Sequence, residues 1–315
     1  MSHSWTYDAP TGAYKNHKLS AQIREAAIAE TKFMQFVRPE PGYGKKKGES
    51  ITITRVSNIT VPSSSALTEN VRIPEDEISL STQAITVAEN GRAVPFTSFA
   101  QDLAHFDLRN AIQRKLMDQM KLSLDIAASN AASAGQVKAI PDGLASLVFD
   151  TDGTASTQAT VNLNVYHVEQ IRDYMFQTLN IEPMVGDDYV CVLATKAKRG
   201  LLSDPAWQDW KKYTDPSAKF NGEIGRIENI RFVESNHSAA ASNSLGAGSV
   251  LGEAFFMGAD ALVMAVAEDP ELRAKLAEDY GRSQGVAWYG IYGFGQVWSD
   301  SANAGEARMV HLTSS

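Results

Sequence analysis

AENGRAVPFTSFAQDLAHFD, from Ala88 to Asp107, changes period halfway. Its first half follows the alternating Ile85 and Val87 and places Asn90-Gly91 between β-like flanks, which predicts a hairpin. In the second half Thr97 or Ser98 can cap a helix. Phe99, Leu103, Phe106, Ile112, Leu116, Met117, Met120, Leu124, Ala127 and Ala131 then recur at spacings of three and four, until Gly135 ends the pattern. The spacing predicts one helix over residues 98–134, roughly 37 residues and about 55 Å long. That is well beyond an ordinary globular helix of about three turns. A coiled coil is disfavoured, because Asn110 and Gln113 would fall on its seam. The segment reads as a β-arm feeding a long spine that lies along a compact body.

Upstream, Ile51 and Ile53 alternate with Thr52 and Thr54, a half-buried strand. VPSSSALTENVRIPEDE (Val61–Glu77) is a polar loop, and alternation returns at Ile78 and Leu80. Residues 49–95 therefore read as antiparallel arms with a polar tip. Such a ribbon is marginal by itself, and no surface to support it is evident within the chain. Before it lies an arm, residues 1–48, whose apolar stripe over about Leu19–Phe36 is too thin to fold alone. Gly42–Gly48, with Lys45, Lys46 and Lys47, and Gly135–Gly143 read as flexible junctions.

Downstream the pattern is mixed. Asn162 or Asn164 caps a helix carrying Val165, Val168, Ile171, Met175 and Leu179. Tyr189–Ala194 is a buried strand. Short helices over 196–202 and 206–213 are split by Pro205. Residues 224–233 form a strand or strand pair, and 237–249 a small-residue loop. Residues 250–267 fit strand or helix, and 271–280 reads as an amphipathic helix. Residues 286–298 alternate, with Trp288, Tyr292, Phe294 and Trp298 on one side, and 308–312 close with a strand.

The 315 residues carry a net charge of −8, unevenly placed. Residues 1–48 hold eight Lys/Arg against four acids, net +4, which leaves −12 on the remainder. A basic arm on an acidic body signals a partner, while the overall acidity argues against a dedicated nucleic-acid binder. The one cysteine, Cys191, lies in an apolar run and reads as a buried small hydrophobe. The N-terminus lacks a secretory pattern. Glu253 and Asp260 interrupt the most apolar stretch, so no membrane span is expected.

Chemistry-bearing motifs are incomplete. Gly42–Gly48 is followed by Glu49 and a strand, where a phosphate loop needs Lys-Ser/Thr and a helix. GRSQG (Gly281–Gly285) has the nucleophile-elbow spacing in the wrong context, a helix before and a strand after, so Gly281 reads as a helix cap and Ser283 as non-catalytic. His167-Val-Glu169 lacks the cysteine half of a zinc deaminase site, and His167 reads as an ordinary helix-face residue. DTDG (Asp150–Gly153) is too short for a calcium loop. No cofactor, metal site or enzymatic activity is expected.

The order of parts resembles the tailed-phage major capsid proteins of the Hong Kong 97 type. AENGRAVPFTSFAQDLAHFD is similar to the junction between β-arm and spine in the capsid family typified by the N-four podophage. LATKAKRGLLSDPAWQDWKKY and FNGEIGRIENIRFVES (Phe220–Ser235) resemble that family's axial domain, and DYGRSQGVAWYGIYGFGQVW and ARMVHL its closing strands. The likeness covers about residues 20–312. CVLATK departs from it, standing where relatives often carry His-Pro.

The resemblance implies an α+β Hong Kong 97-like fold. Its parts would be an N-terminal arm (1–48), an extended loop (49–88), a peripheral domain (89–150 and 262–315, with spine helix 98–134) and an axial domain (151–261). It implies a coat protein that assembles with itself as pentamers and hexamers into an icosahedral shell, in the virion, after assembly in the host bacterial cytoplasm. Portal protein, a separate scaffolding protein, a cement or decoration protein and packaged double-stranded DNA would be partners. Intersubunit contacts are expected from Lys45, Lys46, Lys47, Ile51, Ile53, Arg55, Arg72, Glu75, Asp76, Glu77, Trp207 and Trp210. DNA-facing or arm contacts are expected from Lys15, Lys18, Arg24, Lys32 and Arg38. Residues 48–96 hold no lysine, so no isopeptide cross-linking through this loop is expected. The competing readings are an encapsulin-type compartment, a small hydrolase using Ser283, and a monomeric binding protein with a basic tail.

Overall fold

The computed structural model describes residues 26–40, 48–59, 61–62, 64–69, 71–104, 107–208, 223–241, 252–276, 278–298 and 305–313. The elements are β1 (Val37–Pro39), β2 (Ser50–Val56), β3 (Leu80–Thr86), β4 (Ala88–Thr97), α1 (Ser98–Leu103), α2 (Leu108–Ser133), β5 (Lys138–Gly143), β6 (Ser146–Asp150), α3 (Val165–Asp173), β7 (Tyr189–Ala194), α4 (Thr195–Ser203), β8 (Glu223–Ile227), β9 (Ile230–Ser235), β10 (Ala254–Met257), β11 (Leu262–Ala274), β12 (Ser283–Gly295) and β13 (Met309–Leu312). They form a seven-stranded sheet of order β6-β5-β13-β10-β7-β9-β8, a four-stranded sheet of order β1-β11-β12-β4, and the two-stranded ribbon β2-β3.

The seven-stranded sheet is covered on both faces, so its interior strand β7 is apolar throughout. Tyr189, Cys191 and Leu193 of β7 pack with Val168 and Ile171 of α3 and Leu201 of α4. Val190, Val192 and Ala194 point the other way, onto Ala128 and Ala132 of α2 and onto Phe33 and Phe36 of a 3₁₀ turn in the arm. Complete burial pushes the Cys191 thiol well above its ordinary pKa. The expected boundaries at 150 and 262 cut through this sheet, because β5, β6 and β13 hydrogen-bond into it beside β7–β10.

Helix α2 joins the two sheets. Its first half buries Leu116, Met120 and Leu124 against Met264, Val286 and Trp288 of the four-stranded sheet, and its last turns reach the seven-stranded sheet. It spans 26 residues, roughly 39 Å, rather than 37. The expected continuous helix breaks at Ala104 (ψ 135°), and Asp107 starts a second one by accepting from Asn110 N at 3.1 Å. Thr97 caps α1 through Ala100 N.

Four further expectations change. Asn90-Gly91 is not a turn: β4 runs straight through it, pairing Asn90 with Gly290 and Gly91 with Tyr289. A Cβ on Gly91 would lie 2.7 Å from Trp288 O, so the glycine permits close strand approach. Residues 271–274 continue β11 instead of opening a helix, because their continuous pairing with Val286–Tyr289 of β12 outweighs local helical spacing. A 3₁₀ turn over Asp279–Gly281, not a helix, then precedes Ser283, the first residue of β12. Gly135–Gly143 is no flexible junction either, since β5 carries the buried Ala139 and Ile140. Trp298 lies past β12 with Val297 and Val263, on the opposite face from Trp288 and Tyr292.

Candidate assembly surface

The ribbon does find a support within the chain. Ile51, Ile53 and Ile85 pack on Val263, Ala265 and Val297, the face of the four-stranded sheet opposite α2. Ile51 stands opposite Ile85 in the ribbon's own register. Arg55 is buried, its Nη1 donating to Val297 O at 3.0 Å. Gly293 permits the contact, because a Cβ there would fall 2.1 Å from Thr86 O. Ile51, Ile53 and Arg55 therefore root the ribbon in its own subunit, where contact with an adjacent one was expected. The reason is geometric: these residues precede the point where the ribbon leaves the sheet.

Beyond that root Ser57 Oγ donates to Glu306 at 3.2 Å, and the large aliphatic side chains that follow are exposed. Val61, Leu67, Val71, Ile73, Ile78 and Leu80 are all more than 60% exposed. Glu69, Glu75, Asp76 and Glu77 against Arg72 give residues 57–79 a net charge of −3. Arg72 pairs with Glu75, both exposed, and Asp76 and Glu77 also face solvent.

A second apolar patch lies where α1 meets the β11–β12 turn, joined by Ser98 N donating to Arg282 O at 3.0 Å. Phe99, Leu103, Leu276 and Tyr280 are 72, 70, 87 and 106% exposed. Asp279 (φ 50°) and Tyr280 (φ 54°) hold left-handed backbone, a conformation that costs non-glycine residues energy. Lys275–Glu278 at 2.7 Å and Arg282–Asp279 at 3.6 Å rim the patch with both signs of charge. Lys275 Nζ also reaches Ser283 Oγ at 3.2 Å, a strand residue without the strand–turn–helix setting of a nucleophile elbow.

The arm is latched to α2. Asp125, fully buried, accepts from Lys32 N at 3.0 Å and Phe33 N at 2.9 Å and lies 3.1 Å from His237 Nδ1. Lys115 Nζ donates to Ala26 O at 3.3 Å. Lys32 is buried with its ammonium 2.6 Å from Glu30, and Arg38 pairs with Asp260 at 2.5 Å. Asp260 raises the Arg38 pKa through that hydrogen bond. Of the five cations expected to make DNA-facing or arm contacts, the two described ones are thus engaged within the subunit. Trp207, an expected intersubunit contact, is a core residue set edge-to-face on Phe232 at 5.3 Å. Lys15, Lys18, Arg24, Lys45, Lys46, Lys47 and Trp210 lie outside the described residues.

His167 is not a face residue. It is buried at the third position of α3, where its backbone N–H donates to Asn164 Oδ1 at 3.0 Å and its ring completes a capping box. Burial lowers its pKa, the hydrogen bond to Gly143 O working against that. Sequence reasoning also missed Asp125 and His237. The signal for the first was an acid inside the small-residue run SLDIAASNAAS (Ser123–Ser133), on a helix otherwise read as apolar spine. Among the described residues no group of three or more His, Cys, Asp or Glu could hold a metal ion, and no helix is long and apolar enough to cross a membrane.

Three solved structures show the same arrangement. The capsid of cyanophage Pam1 superposes with a TM-score of 0.71 at 16% identity, covering 98% of each chain. The head of Helicobacter pylori bacteriophage KHP40 gives 0.69 at 12%, covering 98% of each. The capsid of Ralstonia phage GP4 gives 0.66 at 16%, covering 99% of each. At such identities the likeness shows the fold, which is Hong Kong 97-like. The major capsid protein of Escherichia phage T5 is 24% identical over 148 residues, 47% of this chain and 31% of that protein, so the match spans under a third of the relative's length. The phage capsid protein family model matches residues 13–308, nearly the whole chain, and the protein belongs to that family.

Proposed function

We propose that the chain is the coat subunit of a tailed double-stranded DNA phage, assembling as pentamers and hexamers into an icosahedral shell of the virion. The observation that carries this is the ribbon tip. A run of exposed aliphatic side chains on a firmly rooted ribbon marks a surface that another molecule covers. In a family of shell proteins that molecule is a second copy, placed by ring closure. The α1 patch supports the same reading. Its two cations and two carboxylates can pair with those of an identical patch.

On this reading residues 1–48 form the arm, 49–88 the extended loop, 89–150 and 262–315 the peripheral part and 151–261 the axial part, the last two sharing the seven-stranded sheet. Membership of the capsid family supports assembly in the host cytoplasm with a separate scaffolding protein, a portal and a cement protein. Non-specific contact with packaged DNA is the remaining partner. Encapsulation of cargo enzymes is the alternative use of the fold, and the nucleic acid content of purified shells separates the two.

The test is negative-stain microscopy with size-exclusion chromatography of the wild-type chain and of one whose residues 58–79 are replaced by a short Gly-Ser turn, each with its scaffold. Wild type is expected as rings or closed shells, and the variant as folded subunits. A wild-type chain that stays at 34 kDa under every condition sinks the proposal.

A further inference from the structure

The four-stranded sheet separates α2 from the root of the ribbon. β11 sends Met264 and Val266 toward α2 and Val263 and Ala265 toward the ribbon root. On the ribbon side the tip carries −3. On the other side, Arg109, Arg114, Lys115 and Lys121 of α2 are exposed, with Asp118 half-buried beside Lys115, a net +3 over residues 108–121. Asn110, Arg114, Met117 and Lys121 follow at spacings of four, three and four, so they form one exposed line opposite the buried Leu116. The arm crosses this same helix. Lys115 holds Ala26 O, and Arg24, Lys18 and Lys15 precede Ala26 in the chain. Residues 108–121 are thus a positive stretch on a protein that is acidic overall. Exposed charge of one sign along a helix face makes a local positive potential that attracts a polyanion.

We propose that the exposed line of α2 binds the phosphate backbone of double-stranded DNA and that this face looks into the shell. This rests on the coat-protein reading. The recognition is electrostatic, with no base readout: Arg114 and Lys121 are point contacts on phosphates, and each displaces a condensed counterion. An acidic polypeptide could in principle meet the same charges. DNA is favoured because two cations about 10 Å apart along a helix fit an evenly charged rod without special side-chain geometry.

The test titrates the full chain, as purified subunit, against a short fluorescent duplex of arbitrary sequence over a range of salt. In R114Q/K121Q the slope of log affinity against log salt should fall in magnitude by about 2 relative to wild type. E75Q/E77Q, on the ribbon side, should leave it unchanged or steeper. Both substituted α2 residues are exposed, and an unchanged melting temperature verifies folding. An unaltered slope and affinity in R114Q/K121Q overturns the proposal. So does displacement of the duplex by polyglutamate at equal charge concentration, which would assign the face to an acidic polypeptide. Inward placement is tested with K121C in assembled shells and a bulky maleimide, Cys191 being fully buried and silent. The thiol should react only after the shells are opened, and equal reaction in intact shells refutes the placement. Failure of the wild type to assemble would instead remove the coat-protein reading, and the duplex titration would still be readable.

Discussion

Asp125→Ala should release the arm without unfolding the subunit. The carboxyl group accepts from the amides of Lys32 and Phe33 in a site with no solvent access. Its removal leaves two buried N–H donors without an acceptor. Each costs about 1–3 kcal/mol, so the latch weakens by roughly 2–6 kcal/mol. Phe33 and Phe36 keep their places against Phe255 and the sheet, which confines the loss to residues 30–36. Native-state hydrogen exchange of the purified subunit reads this directly. The Lys32 and Phe33 amides should exchange roughly 30-fold to 10⁴-fold faster, while amides of β7 keep their protection. Asp125→Asn retains one carbonyl oxygen and should show a smaller acceleration. Unchanged exchange at Lys32 and Phe33 in the alanine variant would refute the reasoning. It would mean that packing of the two phenylalanines, not the hydrogen bonds, holds the arm.

Other outcomes follow from single residues. His311 stacks on Phe255, sits 3.0 Å from Lys138 Nζ and 3.8 Å from Glu253, and burial lowers its pKa to about 3. The folded value lies below the unfolded one, so this stability is present above about pH 6.5 and is lost as pH falls toward 3. Between pH 7 and 4.5 the loss is about 2.5 kcal/mol. Urea titrations should show a correspondingly shallower pH dependence in H311Q, and identical dependences would contradict the assignment. Gly293→Ala should cost about 1–3 kcal/mol by pushing the ribbon root off its sheet, and an unshifted melting curve would count against the contact. Tyr280→Cys should form disulfide-linked oligomers in oxidised shells and none in free subunits. Monomers alone in both would remove that turn from the contacts between copies. Finally, mature shells dissolved in denaturant should give a single 34 kDa band, as residues 48–96 hold no lysine; a covalent ladder would contradict this.

Much of the architecture was legible because the relevant signals are local. The Ile51–Ile53 alternation, the buried run at 189–194, the Asn164 cap and the spine pattern each depend on neighbours a few residues away. The errors share a cause. ELRA (Glu271–Ala274) has helical spacing, yet it lies in a strand paired far along the chain with β12. Asn90-Gly91 looks like a turn, yet Gly91 serves a close approach to Trp288. For the assembly surface, composition marked the ribbon tip as acidic and short of a core, but whether each residue is root or tip is invisible to it. Ile51 and Val61 are both aliphatic residues of the extended loop. One rests on the subunit's own sheet, and the other faces solvent.

By itself the sequence determined the ribbon, the helical spine, a closing strand and the uneven charge, because periodicity and composition are properties of neighbouring residues. Only the tertiary structure decided that α2 bridges two sheets, that Asp125 fastens the arm, that Trp207 and Arg55 are interior, and that α2 and the ribbon root lie on opposite faces of one sheet. Those facts depend on which strands lie side by side. Strand pairing is settled by the joint burial of side chains distant in sequence, which no local window contains.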